Sequence, residues 1–303
     1  MLAAILEKPG STPSLGEFND PTDHVVDVRL AGCNPVDLEL ASGRLGTPPT
    51  PSVVGKEGIG ANADGQRLYF ESPPAPFGSW AQRCSVDPDR TFPIPDGVDD
   101  DLAVALGIAG LAAWLPMTRH SDVSNAASVL ILGATGVVGR IAIQAAKILG
   151  AGRIVGAGRN QEALDRAAEL GADTTVVLGG DDDAKALQAE AGEGYDVVLD
   201  LVYGPPFLAA LPATAVGATL ITVGEGAGST ADVPFRALAG RTHVGHLNDD
   251  MPSEVLRSGY EELMQHAAAG RIQVETRIYP LDQAVEAWRA QAKGPHAKIA
   301  VAP

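Results

Sequence analysis

The chain has 303 residues, a formal net charge of −16, and 45% hydrophobic against 20% charged residues. That length fits two domains or one large one with a sizeable core. The acidic surplus repels phosphate backbones, which argues against nucleic acid as a partner. Cys33 and Cys84 are the only cysteines, which excludes a disulfide framework and a cysteine-rich structural zinc site and fits a reducing cytosol.

The opening MLAAILEKPGS has too short an apolar run for a signal peptide, and Glu7 and Lys8 interrupt it. No window approaches the roughly 18 apolar residues of a membrane span. A cytoplasmic protein without a membrane partner is expected. Residues 1–105 are rich in Pro, Gly and short β-type runs, with strands predicted over 1–6, 24–30 and 66–70. The stretches 47–51 and 72–76 must be loops, because proline removes donors and fixes φ. A compact, mostly β lobe follows from this. Asp96 to Asp101 then starts a helix, with acids favoured in its first turn, and the small apolar run 103–117 leads out of the lobe.

From about residue 125 strands alternate with helices, the sign of a parallel sheet. Strands are predicted over 128–132, 153–157, 174–178, 195–201, 218–223 and 241–247, and helices over 138–149, 161–170, 184–191, 205–213 and 253–269. The fold class is therefore α/β, with a Rossmann doubly wound parallel sheet. The tail returns to β-type sequence at 272–278 and 298–301 around a short helix over 281–290.

The sharpest signal is the stretch 128–150, SVLILGATGVVGRIAIQAAKILG. An apolar strand runs into a glycine turn, and an amphipathic helix leaves it. Free N–H groups and the positive end of the helix dipole then point into the turn, which suits a pyrophosphate. Ala134, Gly136 and Gly139 occupy the three positions of the dinucleotide fingerprint, with Ala134 at the first. Thr135, Val137 and Val138 complete the candidate turn. The alternative is a strand-to-helix turn without a ligand.

The end of the second strand reads Gly156-Ala157-Gly158-Arg159-Asn160, with no acid before Glu162. An acid there would bond the ribose 2′-hydroxyl and repel a 2′-phosphate, and a base does the reverse. Gly158, Arg159 and Asn160 therefore point to NADP(H), with Arg159 forked onto the phosphate and Asn160 adding a donor. The alternative for Arg159 is an exposed residue at a helix start. Val223, Gly224 and Glu225 open a loop after the fifth strand, at the carboxyl edge where ligands bind in such sheets, and complete the cofactor set. A simple turn is the alternative for this loop.

Five segments add a resemblance. They are Ala31-Gly32-Cys33-Asn34-Pro35-Val36-Asp37, the loop from Pro51 to Gly60, Gly78-Ser79-Trp80-Ala81, Gly110-Leu111-Ala112-Ala113-Trp114, and the fingerprint within 132–146. In this order they resemble the zinc-free quinone oxidoreductase branch of the medium-chain dehydrogenase/reductase superfamily, over nearly the whole chain. The resemblance implies a GroES-like catalytic domain over 1–105, a Rossmann NADP(H)-binding domain over 106–270, and a return to the catalytic domain over 271–303. It also implies a homodimer, with 218–223 and 241–247 forming an edge that pairs across a two-fold axis.

By the same resemblance, Asn34 lies near the nicotinamide ribose and substrate and is the candidate catalytic residue. A turn residue before Pro35 is the alternative. Asn34 and Lys56 stand where the family's alcohol dehydrogenases carry Cys and His. Neither is a zinc ligand, so no metal is expected. Two departures stand out: Ala112 replaces a Thr of the branch, and 42–46 lacks its Tyr.

The implied activity is hydride transfer from NADPH to a small electrophile, a quinone or an α,β-unsaturated carbonyl compound. An enoyl thioester reductase of the same fold and a non-catalytic NADPH-binding sensor are the alternatives. A short-chain reductase is excluded, because none of Tyr69, Tyr195, Tyr203, Tyr260 or Tyr279 has Lys four residues on. His243 and His246 are too isolated in sequence to count as ligands.

Overall fold

A computed structural model describes residues 1–124 and 127–303. The chain divides into two compact units, residues 1–109 with 252–303, and residues 110–251.

The second unit has the α/β architecture expected from the strand–helix alternation. Six parallel strands lie in the order Thr174–Val177, Arg153–Gly158, Ser128–Leu132, Tyr195–Asp200, Thr214–Thr222, Thr242–Gly245. Numbered within the unit this order is 3-2-1-4-5-6, and it reverses between Ser128–Leu132 and Tyr195–Asp200. In such sheets ligands bind beyond the carboxyl ends of the strands at that reversal. Leu130, Leu132, Val155, Val198 and Leu220 fill the interior with Phe207 and Tyr195. The helix Val137–Leu149 packs as its periodicity requires, and Gln144, a polar residue, is buried with its apolar face and donates from Nε2 to the Arg140 carbonyl at 3.1 Å.

The first unit holds two sheets. A small one pairs Leu2–Leu6 with Ser14–Glu17 and Ser52–Val53. The larger one runs Thr276–Pro280, Lys298–Ala302, Val25–Cys33, Glu57–Ala61, Arg67–Glu71, Thr91–Pro93, with Arg83–Ser85 also pairing Val25–Cys33. The C-terminal strand Lys298–Ala302 thus docks antiparallel onto Val25–Cys33 near the other end of the chain. The short strands Ser14–Glu17, Ser52–Val53, Arg83–Ser85 and Thr91–Pro93 carry little periodicity, and sequence alone did not mark them.

The helix Pro35–Ser42 was likewise unmarked. Its sequence PVDLELAS has no strong apolar stripe, and it is set by Pro at its first turn and by left-handed Gly43 (φ 83°) at its end. The apolar run 103–117 is not continuous helix but splits into Asp100–Ala105 and Ile108–His120. The break coincides with Gly107. A Cβ there would lie 2.2 Å from Tyr69 Cε2 and 2.4 Å from Glu57 Oε2, so backbone passes where no side chain fits.

Tyr69 stacks on Tyr260 at 4.6 Å between ring centroids and leans on Phe92 at 5.9 Å. This aromatic cluster cannot retreat from Gly107 without leaving its own contacts. Gly107→Ala is therefore expected to destabilise the protein by about 1–3 kcal/mol, the usual cost of overpacking a dense core. Chemical denaturation measures it, and an unchanged midpoint would contradict this account of the helix break.

Candidate functional site

Two groups of residues carry chemistry, one in each unit. In the second unit the turn Gly133–Gly139 is built as its sequence suggests. Gly133 takes a left-handed φ of 82°, and the N–H groups of Gly133 and Ala134 both bond the Ala157 carbonyl at 3.0 Å, tying the turn to the neighbouring strand. Gly136 caps the helix Val137–Leu149. The first helical hydrogen bond is Arg140 N–H to Gly136 O at 2.9 Å, so the N–H groups of Val137, Val138 and Gly139 have no acceptor within the helix.

The glycines of this turn differ in their reasons. A Cβ on Gly139 would sit 2.4 Å from Gly133 O and 2.6 Å from Ala134 Cα, so close packing of helix on strand demands glycine there. A Cβ on Gly136 would meet only Gly133 O at 3.6 Å, and its backbone is ordinary extended (φ −77°). The fold itself does not require glycine at 136. A bare backbone facing open space at a helix N-terminus is what a pyrophosphate needs, so the residues present fit a dinucleotide.

Around this turn lie the other candidate cofactor residues of the same unit. Gly158 ends its strand, and a Cβ there would press on Thr135 Cγ2 at 2.8 Å. Arg159 and Asn160 follow, both exposed. Asn160 caps the helix Gln161–Glu169, its Oδ1 accepting Ala163 N–H at 2.9 Å. Val223 donates its N–H to the Asp200 carbonyl at 2.8 Å, which ties the start of the 223–225 loop to the adjacent strand end. A Cβ on Gly224 would lie 2.5 Å from Leu201 O.

Sequence reasoning missed Asp200. It is fully buried at the carboxyl end of its strand and accepts from Val202 N–H (3.0 Å), Tyr203 N–H (2.8 Å) and Thr222 Oγ1 (3.3 Å). Desolvation raises its pKa. It shapes the strand ends at the switch point. An acid closing an apolar strand, YDVVLD, was the available signal. His243 and His246 are not isolated in space. His246 meets His120 at 3.1 Å and Asn248 at 3.1 Å, and His243 meets Thr222 Oγ1 at 3.0 Å. Burial lowers the pKa of both His243 and His246.

In the first unit Asn34 follows the strand Val25–Cys33 and precedes the helix Pro35–Ser42, only 5% exposed. Strand register brings its partners in. Ile299 pairs with Cys33, which sets Lys298 beside Asn34, and Ala31 pairs with Gly58, which sets Glu57 beside Gly32. Lys298 Nζ donates to Asn34 Oδ1 at 2.7 Å and to Glu57 Oε1, and Asn34 Nδ2 donates to Glu57 Oε1 at 2.7 Å. Glu57 Oε2 accepts from Tyr69 Oη at 2.9 Å and Ile108 N–H at 2.7 Å. Lysine only donates and a carboxylate only accepts, so the Asn34 amide has one allowed orientation. Glu57 takes one Nδ2 hydrogen, and the second is left to meet an oxygen.

Asp37 completes the cluster. Its carboxylate accepts Asn34 N–H (2.7 Å) and Lys56 N–H (2.8 Å), and burial pushes its pKa up to about 6. Burial and the nearby acids also raise Cys33 well above an ordinary thiol, so it stays protonated and unreactive. Glu57 and Lys298 were missed by sequence reasoning. The signals were present: an acid and a base at the starts of the apolar strands EGIGA and KIAVA. Among the described residues no group of three His, Cys, Asp or Glu side chains assembles a metal cage.

Lys298 and Glu57 are both buried, at 1% and 0% exposure, so removing one strands the other's charge. Lys298→Met is expected to cost about 3–5 kcal/mol in urea denaturation. The charge-balanced Glu57→Gln/Lys298→Met double variant is expected to recover most of that loss. A double variant as unstable as the single one would contradict the pairing.

Residues 137–265 match the family described as zinc-binding dehydrogenases. Along 96% of its length the chain is 29% identical to a phenolphthiocerol/phthiocerol polyketide synthase protein of Mycobacterium tuberculosis, of which it spans 14%. It is 26% identical to quinone oxidoreductase-like protein 2 of Mus musculus over 72% of this chain and 65% of that one. The structure of Escherichia coli quinone oxidoreductase complexed with NADPH superimposes with a TM-score of 0.90 over all of both chains, at 21% identity. The parallel six-stranded sheet and the antiparallel β unit are those of that quinone oxidoreductase fold, and residues 137–265 carry the likeness to the zinc-binding dehydrogenase family.

Proposed function

We propose that this protein is an NADPH-dependent, zinc-independent reductase of quinones or α,β-unsaturated carbonyl compounds. The observation that carries the reading is the bare, uncrowded backbone at Gly136 on a helix N-terminus, in a sheet whose order reverses at that strand. Arg159 supports NADPH over NADH, since it stands exposed where a 2′-phosphate needs a fork of donors and where an acid would otherwise favour NADH. The Escherichia coli relative, crystallised with NADPH, supports the same choice. When bound, the cofactor supplies a hydride, and the acceptor takes its proton from solvent.

The residues of this chain bind and orient. Val137, Val138 and Gly139 offer N–H groups to the pyrophosphate, Thr135 lies beside them, and Val223, Gly224 and Glu225 offer backbone for the nicotinamide. Asn34 presents one amide hydrogen to the acceptor oxygen as negative charge develops there. Lys298 and Glu57 hold that amide in place, so its orientation costs nothing at the moment of reaction. Neither Asn34 nor Lys56 is a zinc ligand by chemistry, so the amide donor takes the place of a zinc Lewis acid.

Titration with NADPH and NADH, followed by nicotinamide fluorescence, tests the cofactor. NADPH is expected to bind at least tenfold tighter, about 1.4 kcal/mol, and Arg159→Ala to abolish the preference. Equal binding of the two nucleotides would sink the Arg159 assignment, and binding of neither would sink the reductase reading. Asn34→Ala is expected to lower kcat by about 10²–10³ with NADPH affinity unchanged. An unaltered kcat would show that Asn34 is only a turn residue.

A homodimer belongs to the same proposal. The strand Thr242–Gly245 is a sheet edge, and Val216 and Phe235 of the same unit are 85% and 89% exposed, surface that a second copy would cover. Sedimentation equilibrium is expected to return twice the chain mass, and a monomer mass would refute it.

A further inference from the structure

The first unit contains a cavity of about 420 Å³ that none of the roles above uses. Its volume lies within the roughly 300–1,000 Å³ of small-molecule sites. The walls are mostly apolar, with Asp37, Thr47, Ser52, Lys56 and Ser72 as the polar side chains among them. Leu40, Val54 and Phe77 face it, while Pro48, Pro49, Pro73 and Pro76 supply wall backbone that has no N–H to donate. Proline also fixes φ, so these walls are formed before any ligand arrives. Leu45, on the same wall, is 49% exposed, an apolar side chain that an occupant would cover.

The buried acid in the lining is already satisfied. It is Asp37, and both its carboxylate oxygens accept backbone N–H groups, from Asn34 and from Lys56. The same Asp37 ties the cavity to the amide site: it holds Asn34 by the backbone on one side and Lys56, the residue before Glu57, on the other. A neutral, apolar chain satisfies the apolar part of these walls, and the Asp37 carboxylate beside it repels an anionic one.

We propose that this cavity is the subsite for the tail of the acceptor, and that the acceptor carries an uncharged aliphatic chain on its unsaturated carbonyl or quinone head. The inference rests on the reading of Asn34 as the donor to the acceptor oxygen. It adds a chain-length preference that the amide site alone does not predict.

The full chain with NADPH and a series of terminal enones, from but-3-en-2-one to dec-1-en-3-one, tests it. Efficiency (kcat/KM) is expected to rise about fourfold per added methylene until the cavity fills. Thr47→Trp, at an exposed position of the lining, is expected to flatten the series while leaving but-3-en-2-one turnover and NADPH affinity within twofold. Leu45→Asp is expected to do the same by charging the wall, and keeps the test open if the first variant folds poorly. Calorimetry with the saturated decan-3-one reads the subsite without turnover, and binding is expected to weaken at least tenfold in either variant. Turnover with a flat series and no decan-3-one binding would overturn the subsite alone. No turnover of any enone or quinone would overturn the reductase reading, and the acceptor assignment with it.

Discussion

The polar centre of the first unit is arranged around the cost of burying the Glu57 carboxylate. A charge without solvent must be met by donors on every side. Here they come from four places in the chain: Asn34, Tyr69, the Ile108 backbone and Lys298. Meeting that demand explains features that look unrelated. Lys298 is buried in the last strand, Gly107 breaks a helix, and Gly32 has no side chain, since a Cβ there would lie 2.6 Å from Glu57 Oε1. The same demand orients the Asn34 amide. A structural necessity thus delivers a fixed hydrogen-bond donor.

The second unit answers a different constraint, the approach of a helix end to a strand end. Gly133 and Gly139 are needed for that approach, whether or not anything binds. Gly136 is not, and this separates a packing glycine from a ligand glycine within one short motif. Asp200 and Thr222 arrange the neighbouring strand ends, so the chain beyond the switch point is held by side chains rather than left to wander.

The nucleotide turn was legible because all its determinants are local. A short apolar run, a glycine turn and a 3.6-residue periodicity follow one another, and each is visible in a window of a few residues. That the sheet is parallel followed from strand–helix alternation alone, while the order of its strands came from the structure. By contrast, the strands of the first unit are short and irregular, and several went unmarked. The helix Pro35–Ser42 shows no clear apolar stripe, so its backbone had to be seen. Asn34 was singled out by resemblance, while its partners were not, although an acid and a base opening apolar strands were in view. Their meaning depends on each other.

Sequence by itself determined the α/β class, the turn at 133–139, the exposed base at 159 and the β character of both chain ends, because local propensity and pattern carry each of these. Only the tertiary structure decided that Lys298 meets Asn34 across 264 residues, that Glu57 sits between them, and that prolines from two separate loops wall one cavity. Register does this work. Side-chain direction alternates along a strand, and which residue lies opposite which is settled only when the sheet closes. No window of sequence contains that information, since the pairing energy belongs to residues far apart in the chain.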